Sequence, residues 1–329
     1  MQGRIRQIVD VATGSGWRRR AAARACALAL ASGVVCSCGA ANVSVTAVAT
    51  QISPTPAPTP TPSPTSSVPI TQLLSVCPKT RSFSSLPVFA KLADASYLAV
   101  AADGSVWVSS ESLGQVVHLS STGAAMVTYN EHTPEGIVVL PNGHVLVAEQ
   151  GPDLIIELDP STLSVTTFLQ LTPNPPQPQV SGIGLDAADH LVLVPDTAQS
   201  RVLTVPVAGG TPSVLISGIG IPTDAAVGPG SVIEVSQATG NGILSVPIGG
   251  GVAKKYPEVA GLLGVAVKDL LLYVTMPSKH QVIALNPATG HTYALITGVD
   301  HPQGIALLSD GQLLIADATS GTLAIAPTC

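Results

Sequence analysis

At 329 residues, with 10% charged and 3% aromatic side chains, the chain holds enough aliphatic material for a sizeable core, which argues against global disorder. Six of its 14 Lys+Arg precede residue 25, where Asp10 is the only acid, so the chain after residue 38 carries a formal charge of −11. An acidic body without a Lys/Arg stripe argues against nucleic acid as a partner, because that binding needs cations to displace condensed counterions.

Residues 1–38 read as a targeting leader. Arg18, Arg19, Arg20 and Arg24 form a positive flank, and ACALALASGVV (25–35) follows as an apolar run of 11 residues. That is about half of the roughly 20 residues a helix needs to cross a bilayer, and it suits a signal-peptide core. Val35-Cys36-Ser37-Cys38-Gly39 resembles the bacterial lipobox, which places acylation on Cys38, since small Ser37 precedes it whereas bulky Val35 precedes Cys36. The expectation is an exported protein anchored by lipid to the outer face of the cell membrane. The alternative is plain secretion, with cleavage after Ala47-Val48-Ala49. Residues 39–76 are expected to be a disordered Pro/Thr-rich linker. Within it PTPAPTPTPSPTSSVP favours a polyproline II stalk of roughly 50 Å at about 3.1 Å per residue.

Residues 77–329 are expected to form one domain. Cys77 and Cys329, at its two ends, are the cysteines left once the leader is set aside. An oxidising compartment favours a disulfide between them over two free thiols.

A repeat of about 40 residues dominates this domain. PEGIVVLPNGHVLVAE (134–149) is the clearest unit, echoed by HPQGIALLSDGQLLIAD (301–317), SGIGLDAADHLVLVPD (181–196) and LAVAADGSVWVSS (98–110). PTDAAVGPGSVIEVSQ (222–237) and LLGVAVKDLLLYVTM (262–276) are weaker copies. Aligned on Gly136, the units place Tyr97, Gly136, Gly182, Asp224, Gly264 and Gly304 at one position, spaced by 39, 46, 42, 40 and 40 residues. The insertion TPNPPQP (172–178) accounts for the long spacing. Each unit runs on into a second hairpin, as in RVLTVPVAGGTPSVL (201–215) and VIALNPATGHTYAL (282–295). Four strands per repeat predict an all-β, six-bladed β-propeller. The sixth unit ends after one strand of its second hairpin, GTLAIAPTC (321–329), so RSFSSLPVFAKL (81–92) is expected to close the ring as the missing outer strand.

PQGIA…DGQLLIAD (302–317) and PEGI…NGHVLVAE (134–149) resemble NHL-type blades and are similar to repeats of gluconolactonase-like and virginiamycin-lyase-like propellers. The gluconolactonase-like resemblance implies a divalent metal in the channel, held by the Glu of a Glu-Gly-Pro motif, an Asn and an Asp. Here Ile137 follows Glu135-Gly136, and Asn142 and Asn286 fall on turns. The lyase-like resemblance implies a His and Glu constellation with magnesium, and repeats of the form GPDGNxWFTE that no unit has. The NHL resemblance implies a binding platform without a fixed catalytic set.

Residues just before each inner strand should line the channel mouth: Ser96, Glu135, Ser181, Thr223, Leu263 and Gln303, with Asp224 one place later and His132 and His301 in equivalent loops. Glu135, Asp224, His132, His301 and Gln303 are the candidate binding residues, with Glu135 and Asp224 expected to be exposed. The alternative is that all five are solvated loop residues. Glu149, Asp196 and Asp317 recur at one repeat position, which favours a structural role in accepting backbone N–H groups of the following turn. Trp107 is assigned to the core, and no G-x-S-x-G, C-x-x-C or H-E-x-x-H motif is present.

The preferred function is a non-catalytic, monomeric binding module for a small-molecule or protein ligand, with no cofactor. A divalent cation enters only under the alternative, a hydrolase or lyase acting on a lactone or cyclic ester.

Overall fold

The computed structural model describes residues 70–329 apart from 173–179, 231, 241, 257, 258 and 260. The leader, Cys38, the Pro/Thr-rich segment through residue 69 and nearly all of the TPNPPQP insertion lie outside the described residues.

The described chain forms a six-bladed propeller with a four-stranded antiparallel sheet in every blade. The inner strands, in ring order, are Ala95–Val100, Pro134–Val139, Gly184–Asp186, Pro222–Gly228, Val265–Lys268 and Pro302–Leu307. The turn between the first two strands is built alike in blades one, two and six. Asp103, Asn142 and Asp310 each accept a backbone N–H two residues on, and the glycine between (Gly104, Gly143, Gly311) has φ of +80° to +86°. The side-chain acceptor and a residue free of the left-handed penalty together close the turn.

The core is divided among the blade interfaces rather than gathered in one place. Second strands are largely apolar on both sides, because each is sandwiched between two neighbouring blades. In blade two (Val145–Glu149), Val145 and Val147 pack with Trp107 and Val116 of blade one, whereas Leu146 and Ala148 pack with Val192 and Val194 of blade three. This explains why the second strands read as near-continuous aliphatic runs such as VLVA and LLIA. Trp107 belongs to this interior, stacked on His118 at 4.1 Å between ring centroids.

Closure uses both chain ends. Val88–Lys91 is the outer strand of blade six and pairs antiparallel with Thr322–Ala326. The segment before it does something further: Arg81–Ser82 pairs in parallel with Ile296 and Thr297, extending blade five. The incoming chain therefore pairs with the end of blade five's outer strand before completing blade six. Cys77 and Cys329 are disulfide-bonded with Cα atoms 3.9 Å apart. The tail is further held where the Cys329 N–H donates to Tyr273 Oη (3.0 Å) and Tyr293 Oη donates to the Pro78 carbonyl (2.9 Å).

A cross-link spanning 252 residues constrains the unfolded chain strongly, by up to about 5 kcal/mol in the chain-entropy model. Reduction, or Cys329→Ser, should therefore lower the melting temperature by more than about 5 °C at roughly 2–4 °C per kcal/mol. Calorimetry with and without reductant checks this. An unchanged melting temperature would show that the strand closure alone secures the ring.

Candidate functional site

The channel is built from one repeated contact. Each inner strand passes the backbone of the next blade so closely that a side chain cannot intervene. A Cβ on Gly136 would lie 2.6 Å from the Ser181 carbonyl oxygen, and one on Gly182, Gly264 or Gly304 would lie 2.5 Å from the carbonyl oxygen of Thr223, Gln303 or Ser96. Backbone bonds cross at two of these points, Gly136 N–H to Ser181 O (2.9 Å) and Gly182 N–H to Thr223 O (2.7 Å). The inner strands of blades one, two, four and six carry a β-bulge at this place, which turns the preceding side chain toward the axis.

At two of the six ring positions the glycine is replaced, and these two blades, the first and the fourth, stand opposite each other. Tyr97 extends across the channel, its hydroxyl 3.1 Å from Ser181 Oγ and donating to the Thr223 carbonyl (3.3 Å). Burial, and then the charges of Glu135 and Asp224, hold its phenol well above the usual value, so it stays neutral. Asp224 turns back into the ring, where its Oδ1 accepts the Ala225 N–H (2.9 Å) and its Oδ2 the Val265 N–H (3.0 Å) of blade five. Its carboxyl is pushed up to about 7 by burial, against the opposing effect of those two donors.

Above this floor lies a cavity of about 430 Å³ lined from all six blades. Glu135, Ser181, Thr223, Leu263 and Gln303, five of the six residues expected at the mouth, line it, as does His301. Ser96 is buried beneath, with its hydroxyl on the Asp94 carbonyl, and Tyr97 takes its place in the lining. His132 is exposed and lies outside the lining, with its backbone N–H held by Glu149. Asp224 is likewise absent from the lining.

The expected exposure of the two carboxylates is corrected. Glu135 is 4% exposed and Asp224 8%. Both sit below the rim because the bulged inner strands bring the neighbouring blades over them. Asp224 acts as a backbone bridge, with both of its oxygens spent. Glu135 is different: its Oε2 has no hydrogen-bond partner, and neither has Gln303 Oε1 in the same cavity. Burial, then the charge and hydrogen bond of Glu111, then Asp94, hold the Glu135 carboxyl well above the usual range. Tyr97, Glu111 and Asp94 are the site residues that sequence reasoning missed. Tyr97 carried a signal, since it breaks the glycine pattern as Asp224 does. Glu111 and Asp94 come from loops of blade one that no repeat position marks.

The recurrent acids at the end of the second strand are structural, as expected, though two of the three reach back rather than forward. Glu149 accepts the N–H groups of His132 and Thr133, and Asp317 that of His301, all from loops leading into their own blades. Asp196 accepts the Gln199 N–H from the following turn and pairs with Arg201 Nε at 2.7 Å.

A channel metal of the gluconolactonase-like kind does not fit these residues. Asp224 has both oxygens on backbone donors, Asn286 Oδ1 accepts the Ala288 N–H on a turn, and only Glu135 of the implied trio faces the cavity. Among the described residues no three His, Cys, Asp or Glu side chains converge on a metal position.

No protein-family model matches the chain, and no curated protein matches it. Solved structures do share its fold. Catalytically inactive virginiamycin B lyase from Staphylococcus aureus with quinupristin is 16% identical, with a TM-score of 0.58 over 73% of this chain and 82% of that one. A gluconolactonase from Xanthomonas campestris is 14% identical, with a TM-score of 0.60 over 73% and 88%. A chain of a nidogen/laminin complex is 16% identical, with a TM-score of 0.58 over 64% and 84%. At these identities the likeness establishes the propeller fold and nothing finer.

The Asp224 carboxyl links stability to pH. Its value is raised from 3.8 to about 7 on folding, so between those limits the folded state holds a proton that the unfolded state has lost. Stability from this group is thus fullest below about pH 4 and falls as pH rises toward 7. Asp224→Asn should flatten that decline, and Asp224→Ala should cost about 1–3 kcal/mol at pH 4.5 by orphaning two backbone donors. Urea unfolding at pH 4.5, 6 and 7.5 measures both effects, and a double-mutant-like insensitivity of all three proteins to pH would refute the assignment.

Proposed function

We propose that the chain is an exported, lipid-tethered binding module that takes up a small molecule, or a side chain of a protein, in the mouth of its propeller channel. The observation that carries this reading is that, of the four buried, unpartnered acceptors among the described residues, two, Glu135 Oε2 and Gln303 Oε1, belong to residues that line one cavity. Buried polar groups are normally paired, and an orphan costs roughly 1–3 kcal/mol. Two orphans on the lining of one cavity make it the place for a ligand to supply the missing donors. The wall supports uptake of an organic body, with Ile221, Ala238, Leu262, Leu263 and Pro277 on one side. Nothing in the lining supplies a nucleophile with its base, and the residues do not fit a metal, so binding is preferred to hydrolysis or elimination.

Ligand-observed NMR of the full chain against a fragment library tests the reading. Wild type should retain fragments that compete for a single site, and Glu135→Ala, checked for folding by circular dichroism, should lose them. Turnover of a lactone or cyclic ester that disappears in Glu135→Ala would instead make the channel an active site.

The tether completes the proposal. With Cys38 acylated and the Pro/Thr-rich stalk extended, the propeller would stand up to roughly 50 Å from the membrane. Cys38→Ala should move the protein from the membrane fraction to the medium with its propeller intact. An intact mass corresponding to a free Thr50 amino terminus in the wild-type protein would show secretion without an anchor.

A further inference from the structure

We propose that the ligand of the channel mouth carries a primary ammonium group, which Glu135, Gln303 and Ser181 hold while its organic body lies against the apolar wall. This rests on the binding reading above and specifies the chemistry of that same site.

The groups without partners are acceptors. Glu135 Oε2 and Gln303 Oε1 need donors, and two lining hydroxyls are committed elsewhere: the Thr223 hydroxyl contacts the Leu262 and Leu263 carbonyls and Ser236 Oγ, and the Tyr97 hydroxyl donates to the Thr223 carbonyl. An anion entering this space would meet the Glu135 carboxyl and no lysine or arginine. An ammonium brings three N–H donors and no acceptor. Two of those donors are for the orphaned oxygens of Glu135 and Gln303, with the Ser181 hydroxyl also in the lining.

The charges around the site have the same sign. Glu111 and Asp94 of blade one stand against Glu135, Asp224 lies below, and neither Lys nor Arg lines the cavity. His301 is the one lining side chain able to become cationic. Beside a buried carboxyl group such as that of Glu135, a cation is favoured more than it would be in bulk solvent. A divalent metal is a poorer occupant. It needs about six oxygens at close range, whereas this site offers one oxygen each from Glu135, Gln303 and Ser181.

The empty site also has a proton to exchange. Burial, and then the charge of Glu111, favours the protonated form of Glu135. A bound ammonium favours the carboxylate instead, and the proton leaves for solvent. The stoichiometry is one ammonium bound and up to one proton released, with no covalent change in either partner.

Isothermal titration of the full chain at pH 7 with hexylamine and benzylamine, against benzyl alcohol and benzoate, tests the inference. The amines should bind at least about tenfold more tightly than the alcohol, a factor equal to about 1.4 kcal/mol. Benzoate should not bind. Repeating the amine titration in two buffers of different ionisation enthalpy should reveal net proton release. Glu135→Gln should lose at least about tenfold in amine affinity and the proton release with it. Should that variant fail to fold, Gln303→Leu is to show the same loss of affinity while keeping the proton release. Equal binding of alcohol and amine, or tighter binding of benzoate, would overturn the ammonium assignment and leave the binding reading standing. Stoichiometric binding of calcium chloride alone, competitive with the amine, would replace it with a metal site. Failure of every amine to bind at millimolar concentration would also overturn it. A fragment screen that still finds ligands then separates that failure from failure of the binding reading itself.

Discussion

Everything in this propeller depends on how closely six inner strands pass one another around the axis. Carbonyl oxygens of one blade lie where a Cβ of the next would have to be, so most ring positions admit only glycine. The requirement concerns space rather than backbone freedom, since these ring glycines do not have positive φ. A bulge at the same place lets the strand approach the axis without losing its pairing farther out, and hydroxyls fill the gap it leaves. Ser109 Oγ accepts the Tyr97 N–H at 3.0 Å, and Thr275 Oγ1 accepts the Gly264 N–H at 2.8 Å. Because the residue before the ring position is aimed inward in five blades, and Tyr97 itself in the first, the fold delivers one such side chain per blade to a common cavity.

The remainder of the molecule holds that ring shut. Blade interfaces supply the apolar contacts, and each blade contributes to two of them, so removing any blade exposes two faces. Polar groups at the ends of second strands hold the loops leading into the blades. Glu149 and Asp317 do this with carboxylates, and Gln237 with an amide that accepts the Gly220 N–H and donates to the Gly242 carbonyl. The same repeat position thus performs one mechanical task with different chemistry. A repeated acid in such a fold is for that reason weaker evidence of function than an acid that breaks a repeat.

This bears on what was legible in the sequence. Blade number, the closing strand and five of six mouth residues followed from a 40-residue period, because a period maps one position per blade onto one place around the axis, and the disulfide followed from the two cysteines left beyond the leader. Departures from the period were also informative: Tyr97 and Asp224 stand where the other blades have glycine, and Tyr97 proves to line the cavity while Asp224 bridges to blade five. Depth was not legible. Glu135 and Asp224 were expected at the surface because they precede or open strands, yet neighbouring blades rise over them. His132 and His301 hold matching loop positions, but only His301 reaches the cavity. Exposure depends on what the adjacent blade places above a residue, and the spacing within one blade does not contain that information. For the same reason Glu111, whose charge adds to the effect of burial on Glu135, was invisible to alignment of the repeats.

The two replaced glycines explain why the site has the character it does. Blades one and four face each other, but Tyr97 reaches across to Ser181 and Thr223 of blades three and four, whereas Asp224 ties blade four to blade five. Tyr97 also lines the mouth with Glu135, whose burial gives an unpartnered oxygen consequences. The division of labour among the carboxyl groups follows. Asp224, with a backbone N–H on each oxygen, stabilises the ring and has nothing left to offer a ligand. Glu135, one blade removed from Tyr97 and with one oxygen unclaimed, keeps its hydrogen-bonding capacity for something the protein itself does not supply.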